Sequence, residues 1–267
     1  MKRNLFLSKS QYLKGMQCHK ALYLYKHHKE LRDEISAAQQ TIFASGTDVG
    51  VIAQDLFPSG VEVPYEGLSI SQQVKMTKDE IAKGTKTIYE ASFEYDGLFV
   101  KVDILNLGDK GWELYEVKSS TSVKDINYDD IALQYYVLVG AGIKLNKASL
   151  VHINNQYVRN GDVEVEKLFT INDLTEDIVE MQQEVPSNIS SMRSMIGGEM
   201  PSIDIGQHCS DPYDCDFRGH CWQHIPEDSV FDLRGGGVDK FDSVDRHAKM
   251  THFWGSSASK VDPYVMV

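Results

Sequence analysis

The residues best placed for chemistry stand in two runs, Val100-Lys101-Val102-Asp103-Ile104-Leu105 and Leu114-Tyr115-Glu116-Val117-Lys118. Successive side chains of a strand alternate between faces, so Glu116 and Lys118 project to one side, Tyr115 and Val117 to the other. Asp103 lies on the preceding strand, and an antiparallel hairpin brings its carboxylate beside Glu116. Two carboxylates converging on one face attract a hard divalent cation. Mg²⁺ takes few protein oxygens and leaves room for water and a substrate phosphate. Lys118 then offers an ammonium to a metal-activated water or to the scissile phosphate. A solvated cross-strand charge pair is the competing reading. Against it stand the apolar flanks Ile104, Leu105, Leu114 and Val117, which mark strands where a charge needs a partner or a metal.

Residues after Lys118 suit a phosphodiester substrate. Ser119-Ser120-Thr121-Ser122 supplies small hydroxyls for phosphate contacts. On the helix expected over Asp129–Val139, Gln134 is placed to order a water or bind backbone phosphate. Tyr135 or Tyr136 would stack against a base or sugar; core packing is the bland account of the same triplet.

The four cysteines form a second constellation. Cys209, Cys215 and Cys221 are spaced C-x5-C-x5-C, and Cys18 stands alone near the start. A reducing compartment disfavours disulfides, so the set reads as metal ligands. Four thiolates suit iron–sulfur or zinc, and the lack of any C-x2-C pair weakens an ordinary zinc ribbon. A Cys₃His zinc site using His208, His220 or His224 stays open. Either centre would tie the first helix to the C-terminal segment.

These groups need elements to hold them. Ser8-Lys9-Ser10-Gln11 reads as a capping box opening a helix to about His28. A second helix is expected from about Ile35 to Phe57, stopped by Pro58-Ser59-Gly60, then a short strand at Val61–Val63 and a helix over 71–83. From Thr87 to Leu107 the period changes to that of strands, with Asp96-Gly97 at a hairpin turn. Leu107-Gly108-Asp109-Lys110-Gly111 turns into the strand Trp112–Lys118. A strand at Ala148–Ile153 and a helix at Leu174–Met195 follow the central helix. This order predicts a mixed α/β sheet flanked by helices, not a βαβ repeat.

With 42% apolar and 25% charged residues the 267-residue chain is not disordered. It has no membrane-length apolar run and no signal-peptide core, which makes the cytoplasm the expected location. The net charge of −12 argues mildly against nucleic acid. Yet residues 1–32 hold eight Lys and Arg against Glu30 alone, so a basic arm could steer DNA to one face, unless it is simply a solvated helix face.

Together these motifs resemble the iron–sulfur branch of the RecB-like PD-(D/E)XK nucleases. That branch includes the CRISPR-associated RecB-like exonucleases, the AddB nuclease domain and a group of uncharacterised bacterial proteins, to which the turn Val158-Arg159-Asn160-Gly161-Asp162 is most similar. Ser8–Leu13 with Cys18-His19-Lys20 looks like the first element, Asp103 motif II, Glu116-Val117-Lys118 motif III, Gln134-Tyr135-Tyr136 the trailing motif, and Cys209, Cys215 and Cys221 the closing triplet. The resemblance spans roughly residues 5–233. It implies a restriction-endonuclease-like fold and a structural 4Fe–4S cluster on Cys18, Cys209, Cys215 and Cys221. It also implies Mg²⁺ or Mn²⁺ on Asp103, Glu116 and the Val117 carbonyl, with Lys118 and Gln134 assisting. The implied substrate is DNA, single-stranded or end-bearing, and a CRISPR integrase or a helicase is the implied partner.

The corresponding organisation is an N-terminal helical region at 1–60, a nuclease core at 61–200, a cysteine segment at 201–234 and a tail of unknown role at 235–267. Two departures stand out. Many relatives carry a motif I histidine four residues after a glycine, but here Gly46 is followed four residues on by Gly50, with Gln54 a candidate substitute. The first gap of the cysteine triplet is five residues, where CRISPR-associated relatives have two. The alternative function is a non-catalytic iron–sulfur or zinc protein that binds DNA or acts as a scaffold.

Overall fold

The computed structural model describes residues 5–226, 229 and 231. Lys2, Arg3 and the tail at 235–267 lie outside the described residues, as does the end of the cysteine segment assigned to 201–234.

The chain opens with β1 (Leu7–Ser8) and α1 (Lys9–Gln17), where the Gln11 side-chain oxygen accepts a hydrogen bond from the Ser8 N–H. The single helix expected to run to His28 is in fact two. Cys18 takes an extended backbone, φ −161° and ψ 116°, and α2 (His19–His27) starts beyond it. One extended residue breaks the helical hydrogen-bond ladder and redirects the chain at the cysteine.

After α3 (Ala37–Ala53) and β2 (Val61–Glu62) comes α4 (Ile70–Lys83), which ends on Gly84 at φ +84°. That left-handed cap suits a residue without a Cβ. The meander β3 (Thr87–Tyr95), β4 (Leu98–Gly108) and β5 (Gly111–Lys118) follows as the β-branched and aromatic runs predict. Then come α5 (Asp125–Gly140), a turn longer at its start than the sequence indicates, and β6 (Leu145–Ile153). α6 (Val165–Leu168) and β7 (Phe169–Asp173) are short elements that the sequence reading left out.

The helix expected over 174–195 divides into α7 (Thr175–Met181) and α8 (Val185–Gly197). Pro186 lacks the N–H that would continue α7 and sits instead in the first turn of α8, where that donor is not needed. α9 (Arg218–Trp222) is the last described helix.

The strands form one seven-stranded mixed sheet ordered β2-β3-β4-β5-β6-β7, with β1 joined to β4. Helices flank both faces. On one, α5, α7 and α1 cover Val100, Val102, Leu105, Leu114 and Leu150, with α8 packed on α1, α2 and α5; on the other, α3 covers Tyr89, Ile104, Tyr115, Val117 and Val151.

The decisive feature is a fork. β3 runs along one edge of β4 from Leu98 to Asn106. The other edge is shared, with β1 pairing at Leu98–Phe99 and β5 from Ile104 onward. Val100 to Asp103 therefore have no strand partner on that edge among the described residues. At the same level Glu90 of β3 adopts φ +54°, and the side-chain alternation of β4 breaks: Val102 and Leu105 both face α5, while Ile104 faces α3.

Candidate active site

Everything that the sequence singles out in the meander gathers at this fork. The Val117 N–H is turned toward β4 and donates to the Asp103 carboxylate at 2.7 Å, closing the ladder with a side chain in place of a carbonyl. One residue back, Glu116 points to the α5 face and is buried. Lys118, two residues on, shares that face, as strand alternation predicts. Its Nζ lies 2.5 Å from Glu116 Oε1 and 2.7 Å from Asp130 Oδ2.

Two participants were missed by sequence reasoning. Asp130, from α5, is as deeply buried as Glu116. Lys9, the first residue of α1, reaches both Glu116 oxygens at 2.8 and 3.0 Å and Asp130 Oδ1 at 3.3 Å. Asp130 had a readable signal: it stands four residues before Gln134, so both fall on one helix face. Lys9 had none, being 107 residues from Glu116 and part of what reads as a basic arm.

Gln134 joins the same centre. Its Nε2 donates to Glu116 Oε2 at 2.8 Å and to Asp130 Oδ1 at 2.9 Å, while its Oε1 is buried without a hydrogen-bond partner. The amide thus orients carboxylates and leaves one acceptor unsatisfied. Tyr135 and Tyr136 turn elsewhere. Both pack against the core, and Tyr136 meets Tyr95 edge-on at 5.6 Å, because residues one and two positions along a helix point 100° and 200° away. Gln54 follows α3 on the opposite sheet face, where its carbonyl accepts from the Tyr89 hydroxyl at 3.3 Å. A Cβ at Gly50 would meet nothing within 4 Å.

The electrostatics follow from three carboxylates confronting two ammoniums in a buried place. Burial, then repulsion from Asp103 and Asp130, pushes Glu116 up to about 7 despite both lysines. Burial likewise raises Asp103. Asp130 goes the other way: burial works against its charge, but Lys9 and Lys118 overcome that and hold it ionised well below the usual range. Lys118 and Lys9 are both raised because the carboxylates outweigh desolvation. One negative charge in the group is left over, and a divalent cation would relieve it. Lys9 and Lys118 keep 22% and 27% of their side chains exposed, so the centre opens to solvent on the ammonium side.

The basic arm fares differently from both of its sequence readings. Lys14 and Arg32 each bind Asp216 at 2.9 Å, Lys20 donates to the Ile203 carbonyl and Lys26 to the Phe6 carbonyl. Much of its charge is spent on internal partners.

Those partners include the cysteine segment. Cys18, Cys209, Cys215 and Cys221 line one small cavity with His208, Ile205 and Phe217. Burial pushes up the thiols of Cys18, Cys221 and Cys215, the last to about 11. Among the described residues no three His, Cys, Asp or Glu side chains are drawn into a metal-holding group. The four thiols nonetheless share one largely apolar cavity, and as a donor set they fit a sulfur-ligated centre. Gln17 Nε2 already holds the segment through the His208 and Tyr213 carbonyls, each at 2.7 Å.

No family model matches the chain, and no curated protein matches it. Among solved structures it is similar to SSO0001, at 12% identity over 78% of this chain and 84% of that one, with a TM-score of 0.39. It is also similar to a phage-related exonuclease from Haemophilus somnus 129PT, at 13% identity over 63% and 90% of the two chains, TM-score 0.27. At such scores neither likeness carries weight, and the site must be read from its own residues. Among the described residues no helix is long and apolar enough to cross a membrane.

Asp129, beside the centre on α5, gives a test of these electrostatics. Burial, then Glu184, Asp125 and Asp130, raise it to about 6 from 3.8. Its folded value lies above its unfolded one, so its contribution to stability is full below about pH 4 and lost as pH rises through about 6. Thermal melts should show Asp129→Asn above wild type at pH 8, with the difference vanishing near pH 4. An equal difference at both pH values would contradict the assignment.

Proposed function

We propose that this protein is a metal-dependent phosphodiesterase acting on DNA, on a restriction-endonuclease-like sheet, with a structural iron–sulfur cluster. The observation that supports the catalytic reading is the fork itself. It sets Asp103, Glu116 and Lys118 around one solvent-facing gap, in the strand arrangement that the D…E-x-K spacing calls for.

Asp103, Glu116 and the Val117 carbonyl would hold Mg²⁺ or Mn²⁺; when bound, the ion acts as a Lewis acid on water and on the phosphate oxygens. Lys118 places its ammonium at the open side, where it would neutralise charge building on the phosphate and orient the attacking water. Asp130 keeps Lys118 protonated and aimed. Gln134 fixes the Glu116 carboxylate and carries an oxygen with an open position for accepting a hydrogen bond. Single-stranded or end-bearing DNA is the substrate this reading favours, and exonuclease action the mode. CRISPR integrases and helicases are the partners expected for such an enzyme.

One observation favours the second reading, a non-catalytic DNA-binding or scaffold protein. α3 presents Gly50, without a side chain, where related sites carry a histidine ligand.

Labelled single-stranded DNA with Mn²⁺ separates the two. Wild type should degrade it, and Asp103→Ala, Glu116→Ala and Lys118→Ala should each lose about 100-fold or more in rate. Equal cleavage by all four proteins would remove the catalytic assignment.

Cys18, Cys209, Cys215 and Cys221 would carry the cluster, pinning the α1–α2 junction to the segment before α9. Protein purified without oxygen should be brown, absorb broadly near roughly 400 nm and bleach with dithionite, and Cys209→Ser should lose the colour. Colourless protein with stoichiometric zinc would overturn the cluster.

A further inference from the structure

Next to the carboxylate centre lies an open groove of about 780 Å³ that the proposed chemistry leaves unused. Its walls are the loop Tyr65–Ser69 between β2 and α4 and the residues Ser8–Ser10 at the start of α1; its floor is Phe99 and Lys101 of β4. From these we infer that the groove is the binding path for a single-stranded DNA segment, which it delivers to the fork. The destination of the strand rests on the nuclease reading; the groove itself does not.

Continuity comes first. Lys9 lines the groove and also binds both oxygens of Glu116. On the floor, Phe99 and Lys101 alternate along β4 with the buried Val100 and Val102, and Asp103 follows at the level where that alternation breaks.

Surface chemistry comes second. Tyr65 is 75% exposed, with its ring offered at the groove wall and Lys101 Nζ 5.3 Å from the ring centroid. An exposed aromatic ring next to ammonium groups provides a stacking platform for a base with a cation for its phosphate. Ser8, Ser10 and Ser69 add hydroxyls. Lys9 and Lys101 face one acid in the lining, Glu66, and Lys101 also pairs with Glu90 at 3.0 Å. Each lysine thus stands beside a carboxylate, and what the groove offers a strand is individual ammonium groups next to a stacking ring and hydroxyls.

Strandedness comes third. Tyr65 stacks only on an open base face, which a duplex hides.

Fluorescence anisotropy of labelled oligothymidylate in EDTA measures binding without cleavage. Tyr65→Ala should weaken binding about tenfold, the value of one stacked base, and Tyr65→Phe should restore it. Lys101→Met should lower the slope of log affinity against log salt by about 0.7. Unchanged melting temperatures would exclude misfolding of the Tyr65 variants. Wild-type affinity in Tyr65→Ala, or a blunt duplex that binds as tightly as the single strand, overturns the groove. Cleavage by wild type together with normal binding by Tyr65→Ala sinks the groove alone, whereas lost binding without any cleavage sinks the enzyme alone.

Discussion

Burying like charges together is the constraint from which the rest of this structure follows. Glu116 of β5 and Asp130 of α5 are buried together with Asp103 close by, and removing such carboxylates from water costs several kcal/mol each unless partners compensate. Lys9, Lys118 and Gln134 supply that compensation. They also determine which elements must meet: the start of α1, the end of β5 and the middle of α5 are fastened at one point. A fold that kept its sheet but lost this point would leave uncompensated charge in its interior.

The fork in β4 makes the arrangement sterically feasible. Had β5 paired with β4 along its whole length, backbone hydrogen bonds would fill the edge and no gap would exist for side chains. β1 takes over the first part of that edge, and the Asp103 carboxylate ends the ladder on the Val117 N–H. The left-handed Glu90 at the same level marks where the sheet accommodates the change. Each of these features is a local departure from regular strand geometry, and they coincide where the charged groups collect.

Sequence made the strand part of the site legible because strand periodicity is short and local. Asp103, Glu116 and Lys118 could be placed on one hairpin, and the Asp96-Gly97 turn fixed its other end. The same reasoning failed for Lys9, whose role depends on tertiary contact across the molecule, and it left Asp130 unremarked among neighbouring acids on α5. It read one helix through Cys18, because helical spacing continues on both sides of a single extended residue. It also passed over Pro186 as a break between α7 and α8. Tyr135 and Tyr136 illustrate the opposite error: adjacency to Gln134 in sequence is not adjacency in space on a helix.

The four thiols depend on α2 and on α1, the helix that carries Lys9. Cys18 interrupts them, Gln17 and Lys14 hold the C-terminal segment, and the cavity closes between. Stability at the cysteine end and geometry at the carboxylate end are thus linked through α1, which has one end at each.

Electron paramagnetic resonance of Mn²⁺ titrated into metal-free protein tests the central claim most directly. One saturable site per chain is expected, with Asp103→Asn and Glu116→Gln each abolishing it. Unaltered Mn²⁺ binding in both variants would contradict a cation site at the fork.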